Sequence, residues 1–486
     1  MNPIDFSRNY VRRESNTLLL LVCLAQFMVI LDVSIVNVAL PAIRNGLGFS
    51  TAGLQWVINA YTLTFAGFLL LGGRASDLLG RRRVFLAGTA LFTIASLVCA
   101  VAASPGVLLG ARAVQGVGGA IISAASLAII TTSFDEGASR NRALGVWGAL
   151  GGLGATSGVL LGGVLTQGLG WEAIFVINIP IGLGVLAFGQ RVIPEGRSTL
   201  EHRSFDVSGA LLVTIGMVAL VYGIVRSDVL GWGSAGVLGP LAAGVLLLLG
   251  FGLVEGRFAR APLMPLGIFK LRPLRSANAV ILLLYSAIFA MWFFISLYMQ
   301  QDLHHDAIET GLAFLPMTLS VAVAATLAPR LVRRIGARSV LTAGMVSATA
   351  GLALLTGVRP DGTYLAQVLP GGVLAAFGLG LALVPATIVA VQGVQAAQSG
   401  LASGLLNTSR LVGGALGLAV LTTIATSHAH ARVAAGASHA LAQTDGYQLA
   451  FAVGAVLCLV GAVAAAVLLR PSREARAAGE LADARG

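Results

Sequence analysis

Among the acidic residues of the chain, Asp32 alone falls deep inside a long apolar run, and Arg112 and Arg410 are the basic residues that do so. A charged side chain in such a place costs about 2.5–3.5 kcal/mol on insertion scales, so each needs a physical reason. Counted along its run, Asp32 lies about 9 residues, roughly 13 Å, from one end. Arg112 lies about 6 residues, roughly 9 Å, from the matching end of its own run. The two therefore share a depth, and each is a partner for the other. Such a pair can couple a proton to a change of shape. Protonating the acid cancels its attraction to the arginine and alters which helix packing is preferred. Burial disfavours a charged carboxyl and a neighbouring cation favours it, so small rearrangements change whether it holds a proton. A static buried ion pair that fixes packing is the alternative. Arg410, in Asn407-Thr408-Ser409-Arg410, has no acid of its own. It is left to bind backbone carbonyls, line a cavity or favour anionic substrates.

These residues must be carried by membrane helices. Of 486 residues, 57% are hydrophobic and 10% charged, against roughly 25% charged in a soluble domain. A helical span needs about 20 mostly apolar residues. Runs of that kind lie near 16–41, 52–72, 84–103, 107–133, 142–166 and 173–193, then 207–226 and 236–255. Six more lie near 275–300, 308–329, 338–358, 365–388, 398–426 and 447–470. The expected class is an all-α membrane protein with a cytoplasmic tail over 1–15, a six-helix set over 16–193 and an inserted pair over 207–255. A second six-helix set over 275–470 and a cytoplasmic tail over 471–486 complete it.

The net charge of +11 does not point to nucleic acid, because the basic residues cluster in short runs between apolar segments, such as Arg81-Arg82-Arg83. Fourteen spans with both ends cytoplasmic leave only Arg44, Arg226, Arg359 and Arg432 outside, with Arg112 and Arg410 in spans; an odd count puts later basic loops on the wrong side. The apolar run from Thr17 to Pro41 is too long for a cleaved leader and is expected to be the first span. Cys23, Cys99 and Cys458 are far apart in apolar segments, as buried thiols would be. The chain has no phosphate-binding GxxxxGK[ST] loop, and its six histidines suggest no metal site, so no cofactor and no ATP are expected.

The chain also repeats itself. GRASDLLGRRRVFLAG at 73–88 resembles PRLVRRIGARSVLTAG at 329–344, with Gly80 against Gly336, Val84 against Val340 and Gly88 against Gly344. Each copy joins the second and third helices of a six-helix set, the arrangement of transporters built from parallel repeats. In the first copy, Asp77 beside the arginines can latch helix ends or simply form a turn. The fifth span is dense in glycine, including Gly154, Gly158, Gly162 and Gly163, which gives a smooth face for close helix contact and room for a hinge. Polar and aromatic residues suited to lining a cavity are Asn37, Asn59, Tyr61, Gln115, Tyr285, Trp292 and Tyr298, although interface belts also use Trp and Tyr.

At these residues the chain resembles the fourteen-span drug:proton antiporter family (the EmrB/QacA type) of the major facilitator superfamily. LDVSIVNVALP at 31–41 is similar to its first-span signature, with Asp32 on the acidic position. GRASDLLGRRR at 73–83 resembles the superfamily's gating-loop motif through Gly73, Asp77, Gly80 and Arg81. LLGARAVQGVGGA at 108–120 is similar to the fourth-span motif, whose arginine, here Arg112, is implicated in proton translocation. WEAIFVINIP at 171–180 and GLASGLLNTSRLVGGALG at 400–417 look like further family segments. One departure stands out: the fifth-span antiporter motif usually ends in Gly-Pro, and here Val159 follows Gly158. Proline loosens a helix by removing a hydrogen bond, so its absence weakens the motif as evidence for antiport.

The resemblance implies a major facilitator fold, two six-helix bundles plus two inserted central helices, in the bacterial inner membrane. It implies proton-driven efflux of amphiphilic small molecules or antibiotics by a monomer, with protons, lipid and substrate as partners and no enzymatic activity. A facilitator or importer of a metabolite on the same fold, and a non-transporting receptor or scaffold, are the alternatives. With Asp32 the one deep acid, neutral, monocationic or anionic substrates are expected rather than dications.

Overall fold

Gly80 and Gly336, matched by the sequence repeat, take the same unusual backbone. Gly80 has φ 106° and ψ 128°, and Gly336 has φ 81° and ψ 156°. An L side chain is strained there, so glycine is the residue that lets one helix stop and the next start at once. The computed structural model describes residues 3–134, 138–195, 206–258, 266–394 and 399–469, and helices dominate among them.

The chain divides into two compact units. The first holds Met1–Val218, Ala243–Leu263 and Asp306–Leu312; the second holds Ala219–Ala242, Met264–His305 and Ala313–Gly486. The helices of the first stretch are α1 (Pro3–Leu47), α2 (Thr51–Leu54), α3 (Trp56–Leu79), α4 (Arg81–Ala100), α5 (Pro105–Ser133), α6 (Ala138–Leu169), α7 (Ala173–Val176) and α8 (Asn178–Val192). Then come α9 (Val207–Leu230), α10 (Ala235–Leu253), α11 (Arg272–Gln301), α12 (Ala307–Leu355), α13 (Leu369–Val391), α14 (Ser399–Ala434) and α15 (His439–Leu468). Twelve helical segments among the described residues are long and apolar enough to cross a membrane. One of them, α12, is two helices joined at Gly336. Residues 3–15, expected as a tail, continue α1, since no glycine or proline lies between Pro3 and the apolar run. The expected tail at 471–486 lies outside the described residues.

Local chemistry starts and stops these helices. Ser104 caps α5 by accepting from the Val107 amide at 3.4 Å, with Pro105 in the first turn. There its missing N–H is one the helix could not pair anyway. Ser50 and Ser438 cap α2 and α15 in the same way.

Glycine then sets how closely the helices of the first unit approach. A Cβ on Gly154 would meet Ile30 Cγ2 at 2.8 Å, one on Gly158 would meet Ser34 Cβ at 2.7 Å, and one on Gly162 would meet the Ile35 carbonyl at 2.9 Å. Spaced four apart, the three glycines form one face of α6 along which α1 lies. Gly163 points elsewhere: its Cβ would strike Ile308 Cα at 2.9 Å, at the start of α12. In α5, Gly118 faces the Phe92 backbone of α4 and Gly116 faces the Tyr61 carbonyl of α3. Helix α5 is thus held between α3 and α4. Helices α9 and α10 pack on each other, Gly216 near Leu248 and Gly223 near Leu241.

Candidate functional site

Asp32 and Arg112 meet at the centre of the first unit. Arg112 Nη1 donates to Asp32 Oδ2 at 2.5 Å, and both side chains are buried, with Asp32 at 0% and Arg112 at 1% exposure. The depth counted from the sequence is therefore matched by contact. Arg112 also donates from Nε to the Val57 carbonyl at 3.0 Å and from Nη1 to Gln115 Oε1 at 2.7 Å. Its guanidinium lies 4.4 Å from the Tyr61 ring centroid and 5.8 Å from that of Phe175. Aromatic faces stabilise a desolvated cation in this way.

The other oxygen of Asp32 is equally engaged. Gln115 Nε2 donates to Oδ1 at 2.8 Å and Asn178 Nδ2 donates to the same atom at 2.9 Å. Gln115 is held in turn, its Nε2 reaching Ser96 Oγ at 2.8 Å and the Cys99 thiol contacting its Oε1 at 3.8 Å. One carboxylate thus gathers side chains from α1, α3, α4, α5 and α8. The glycines that bring α5 close to α3 and α4 place Arg112 and Gln115 one turn apart on one face, pointing at α1.

Every group facing Asp32 here is a donor, which suits a carboxylate that only accepts. A proton added to Oδ1 would find an acceptor only if the Asn178 amide turned its unbonded Oδ1 toward the carboxyl. It would also leave Arg112 as an uncompensated buried charge, which is strongly destabilising.

The remaining expected residues divide. Tyr61 and Gln115, expected along a cavity, are buried parts of this network, and Asn59 is buried beside them in sequence with both amide atoms unbonded among the described residues. Asn37 turns its amide back to the Val33 carbonyl at 3.2 Å. In the loop expected to gate, Gly80 makes the turn, Gly73 lies 3.9 Å, by its would-be Cβ, from Ala124 of α5, and Arg81 opens α4. The side chain of Asp77 lies outside the described residues. Its neighbours Arg82 and Arg83 pair with Glu195 Oε2 at 3.4 and 3.5 Å, just past the end of α8. In the second unit, Arg410 lies 5.9 Å from the Tyr285 ring centroid, and Trp292 packs on Phe314 at 5.0 Å. Val159 is buried, and a Cβ on Gly311 would meet its carbonyl at 2.8 Å.

Sequence reasoning missed Asn178, Ser96 and Glu195 as partners. Asn178 carried a usable signal, being an amide inside the apolar segment Ile177–Pro180, whereas the Val57 carbonyl carried none.

Comparison with known proteins bears on what such a site serves. Residues 22–418 match the profile of the Major Facilitator Superfamily. The chain is 42% identical over 427 residues to the cephamycin export protein CmcT of Amycolatopsis lactamdurans, covering 87% of this chain and 88% of that one. It is 40% identical over 464 residues to the puromycin resistance protein pur8 of Streptomyces alboniger, covering 94% and 92%. The crystal structure of the nucleoside transporter NupG shares the fold, with a TM-score of 0.67 at 12% identity over 93% of this chain and all of that one.

Proposed function

Because the chain belongs to the major facilitator superfamily, we propose that it is a proton-coupled exporter of amphiphilic small molecules such as antibiotics. The observation that carries this reading is the buried Asp32–Arg112–Gln115–Asn178 network, in a chain whose relatives are named for antibiotic export and resistance. Substrate loads from the cytoplasm or inner leaflet, the chain alternates access, and an external proton taken by Asp32 resets the cycle. Arg112 holds the carboxylate until that proton arrives; Gln115 and Asn178 fix its orientation. A proton moving down 100 mV supplies about 2.3 kcal/mol, enough for a substrate gradient of roughly 40-fold, since 1.4 kcal/mol is a decade. The gradient replaces ATP.

The chain sits in the bacterial inner membrane in fourteen spans with both termini cytoplasmic, as in the drug:proton antiporter family it resembles. Support comes from the twelve apolar segments, from α12 counting as two across Gly336, and from α6, whose 32 residues are long enough for one more. The organisation follows as six helices over 16–193, an inserted pair over 207–255 and six over 275–470. Gly73, Asp77, Gly80 and Arg81 form its gating loop.

The test is substrate-driven proton flux in inverted membrane vesicles, wild type beside Asp32→Asn, across amphiphilic drugs and dyes. A compound that dissipates the proton gradient in wild type alone supports antiport through Asp32. Equal substrate movement in both, with no proton response, removes the coupling role and leaves facilitated transport.

A further inference from the structure

Arg112 is held by a carboxylate, a carbonyl and an amide of its own unit, and Arg410 has no such partner among the described residues. Among the described residues, Arg410 makes no ion pair, and its Nε is buried without a hydrogen-bond partner. Its one described polar contact is with the π face of Tyr285. A guanidinium carries five donors and stays charged, so one inside an apolar span is costly unless it is paired or faces a water-filled cavity, and an unpaired one facing a cavity is open to an anion.

The surroundings of Arg410 are built rather than loose. Ser409 Oγ donates to Asn278 Oδ1 at 2.7 Å, and Ser286 Oγ donates to the Gly413 carbonyl at 2.9 Å, so α14 is tied to α11 on both sides of Arg410. Gly413, Gly414 and Gly417 bring the two helices into backbone contact, with Gly414 against the Phe289 ring. Along α11, Tyr285, Phe289 and Trp292 fall at positions i, i+4 and i+7, on one face. All three are partly exposed on a helix that is otherwise mostly buried. Tyr285 and Phe289 lie 5.7 Å apart by ring centroids.

We infer that Arg410 and the Tyr285–Phe289–Trp292 stripe form a subsite that binds an aromatic anion, the guanidinium taking a carboxylate or sulfonate and the rings stacking on its aromatic body. The inference rests on the export reading in that it names the substrate class exported. Arginine suits this task because its planar fork bonds two anion oxygens at once, whereas lysine offers only a point charge. The stripe supplies offset stacking surface and does not discriminate by charge, so neutral aromatics bind there more weakly.

The test is calorimetric titration of the purified full-length protein in detergent with three probes on one ring: 2-naphthalenesulfonate, 2-naphthalenemethanol and 2-naphthyltrimethylammonium. Wild type is expected to prefer the sulfonate over the alcohol by about tenfold or more, the worth of a charge-assisted hydrogen bond. Arg410→Gln is expected to erase that preference while leaving alcohol binding within about twofold. Arg410→Lys keeps the charge but not the fork, and is expected to lose several-fold of the preference; it decides the matter where Arg410→Gln does not purify folded. Wild type that fails to prefer the sulfonate, an Arg410→Gln that weakens all three probes alike, or an Arg410→Lys with unchanged preference would each overturn the subsite. Efflux of the same probes separates the two readings. Anion-selective binding without any pumping refutes export and keeps the subsite; pumping of other compounds without anion preference does the reverse.

Discussion

Replacing Gly158 with alanine is expected to wedge α6 away from α1. The new Cβ would stand 2.7 Å from Ser34 Cβ, 2.9 Å from the Leu31 carbonyl and 3.1 Å from the Ile35 amide nitrogen. Carbon atoms settle at about 3.5–4.0 Å, so the helices must part by roughly 1 Å. Two of the three obstacles are backbone and cannot rotate aside. Overpacking of this kind costs about 1–3 kcal/mol, roughly five- to 150-fold in the folded-to-unfolded ratio.

The functional effect is expected to exceed the loss of stability. Leu31 and Ser34 flank Asp32, whose bonds to Arg112, Gln115 and Asn178 span 2.5, 2.8 and 2.9 Å. A shift of about 1 Å carries the two amide contacts past the range in which a hydrogen bond counts as one. Gly158→Ala is therefore expected to melt several degrees lower and to lose substrate-driven proton flux at temperatures where it is still folded. Adding Ser34→Gly removes the nearest obstacle but not the Leu31 carbonyl, so rescue is partial. Gly184→Ala, where an added Cβ meets nothing within 4 Å, is the control and leaves both readings unchanged. A Gly158→Ala protein with wild-type melting and wild-type flux would refute the close α1–α6 contact and its role in placing Asp32.

Asn178→Leu and Gln115→Leu each remove a donor to a buried carboxylate and are expected to destabilise by about 1.5–3 kcal/mol. In a double-mutant cycle with Asp32→Asn most of that loss disappears in the melting temperature, and additive effects would refute the contact. Burial pushes the Asp302 carboxyl, just past the end of α11, from 3.8 up to about 6, against the charge of His304 and a hydrogen bond from Thr444. The folded chain then holds this proton more tightly than the unfolded one, so the contribution is present below about pH 4 and is lost as the pH rises through 6. Asp302→Asn is expected to flatten that part of the melting profile between pH 4 and 7, and an unchanged slope counts against it. Gly80→Ala and Gly336→Ala force a side chain into left-handed backbone and are expected to cost about 1–3 kcal/mol each by thermal melting, a loss below about 0.5 kcal/mol being the contrary result.

What could be found from sequence follows from how rare each signal is. A charge inside an apolar run is costly enough to stand out, so counting helical rise was sufficient to bring Asp32 and Arg112 to one depth. Gly80 and Gly336 were legible because a positive φ excludes most side chains, which leaves a glycine in both copies of the repeat. Asn178 was harder: a neutral amide is tolerated in many spans, and only the fold reveals that this one faces a carboxylate. The Val57 carbonyl and the Glu195 pairing depend on where α3 and α8 happen to start and end, which no residue type announces. Tyr61 and Gln115 were recognised as notable but placed along a cavity, because sequence gives the face of a helix and not what covers it.

The two units handle the same expense differently. Each carries one arginine inside a span, but the first unit surrounds Arg112 with a carboxylate, a carbonyl, an amide and two rings, whereas the second gives Arg410 one described ring. The carboxylate that holds Arg112 loses that ion pair if it takes a proton, which is the property required of a proton-coupled step. An incompletely compensated charge gains stability from any anion that reaches it, which is the property required of a binding step. On the proposed reading these two roles are separable by mutation. Asp32→Asn should abolish proton flux while the sulfonate preference in binding persists, and Arg410→Gln should abolish that preference while a neutral substrate still drives proton flux. Loss of both properties in either single variant would show that the two sites act as one, and the division of roles would fall.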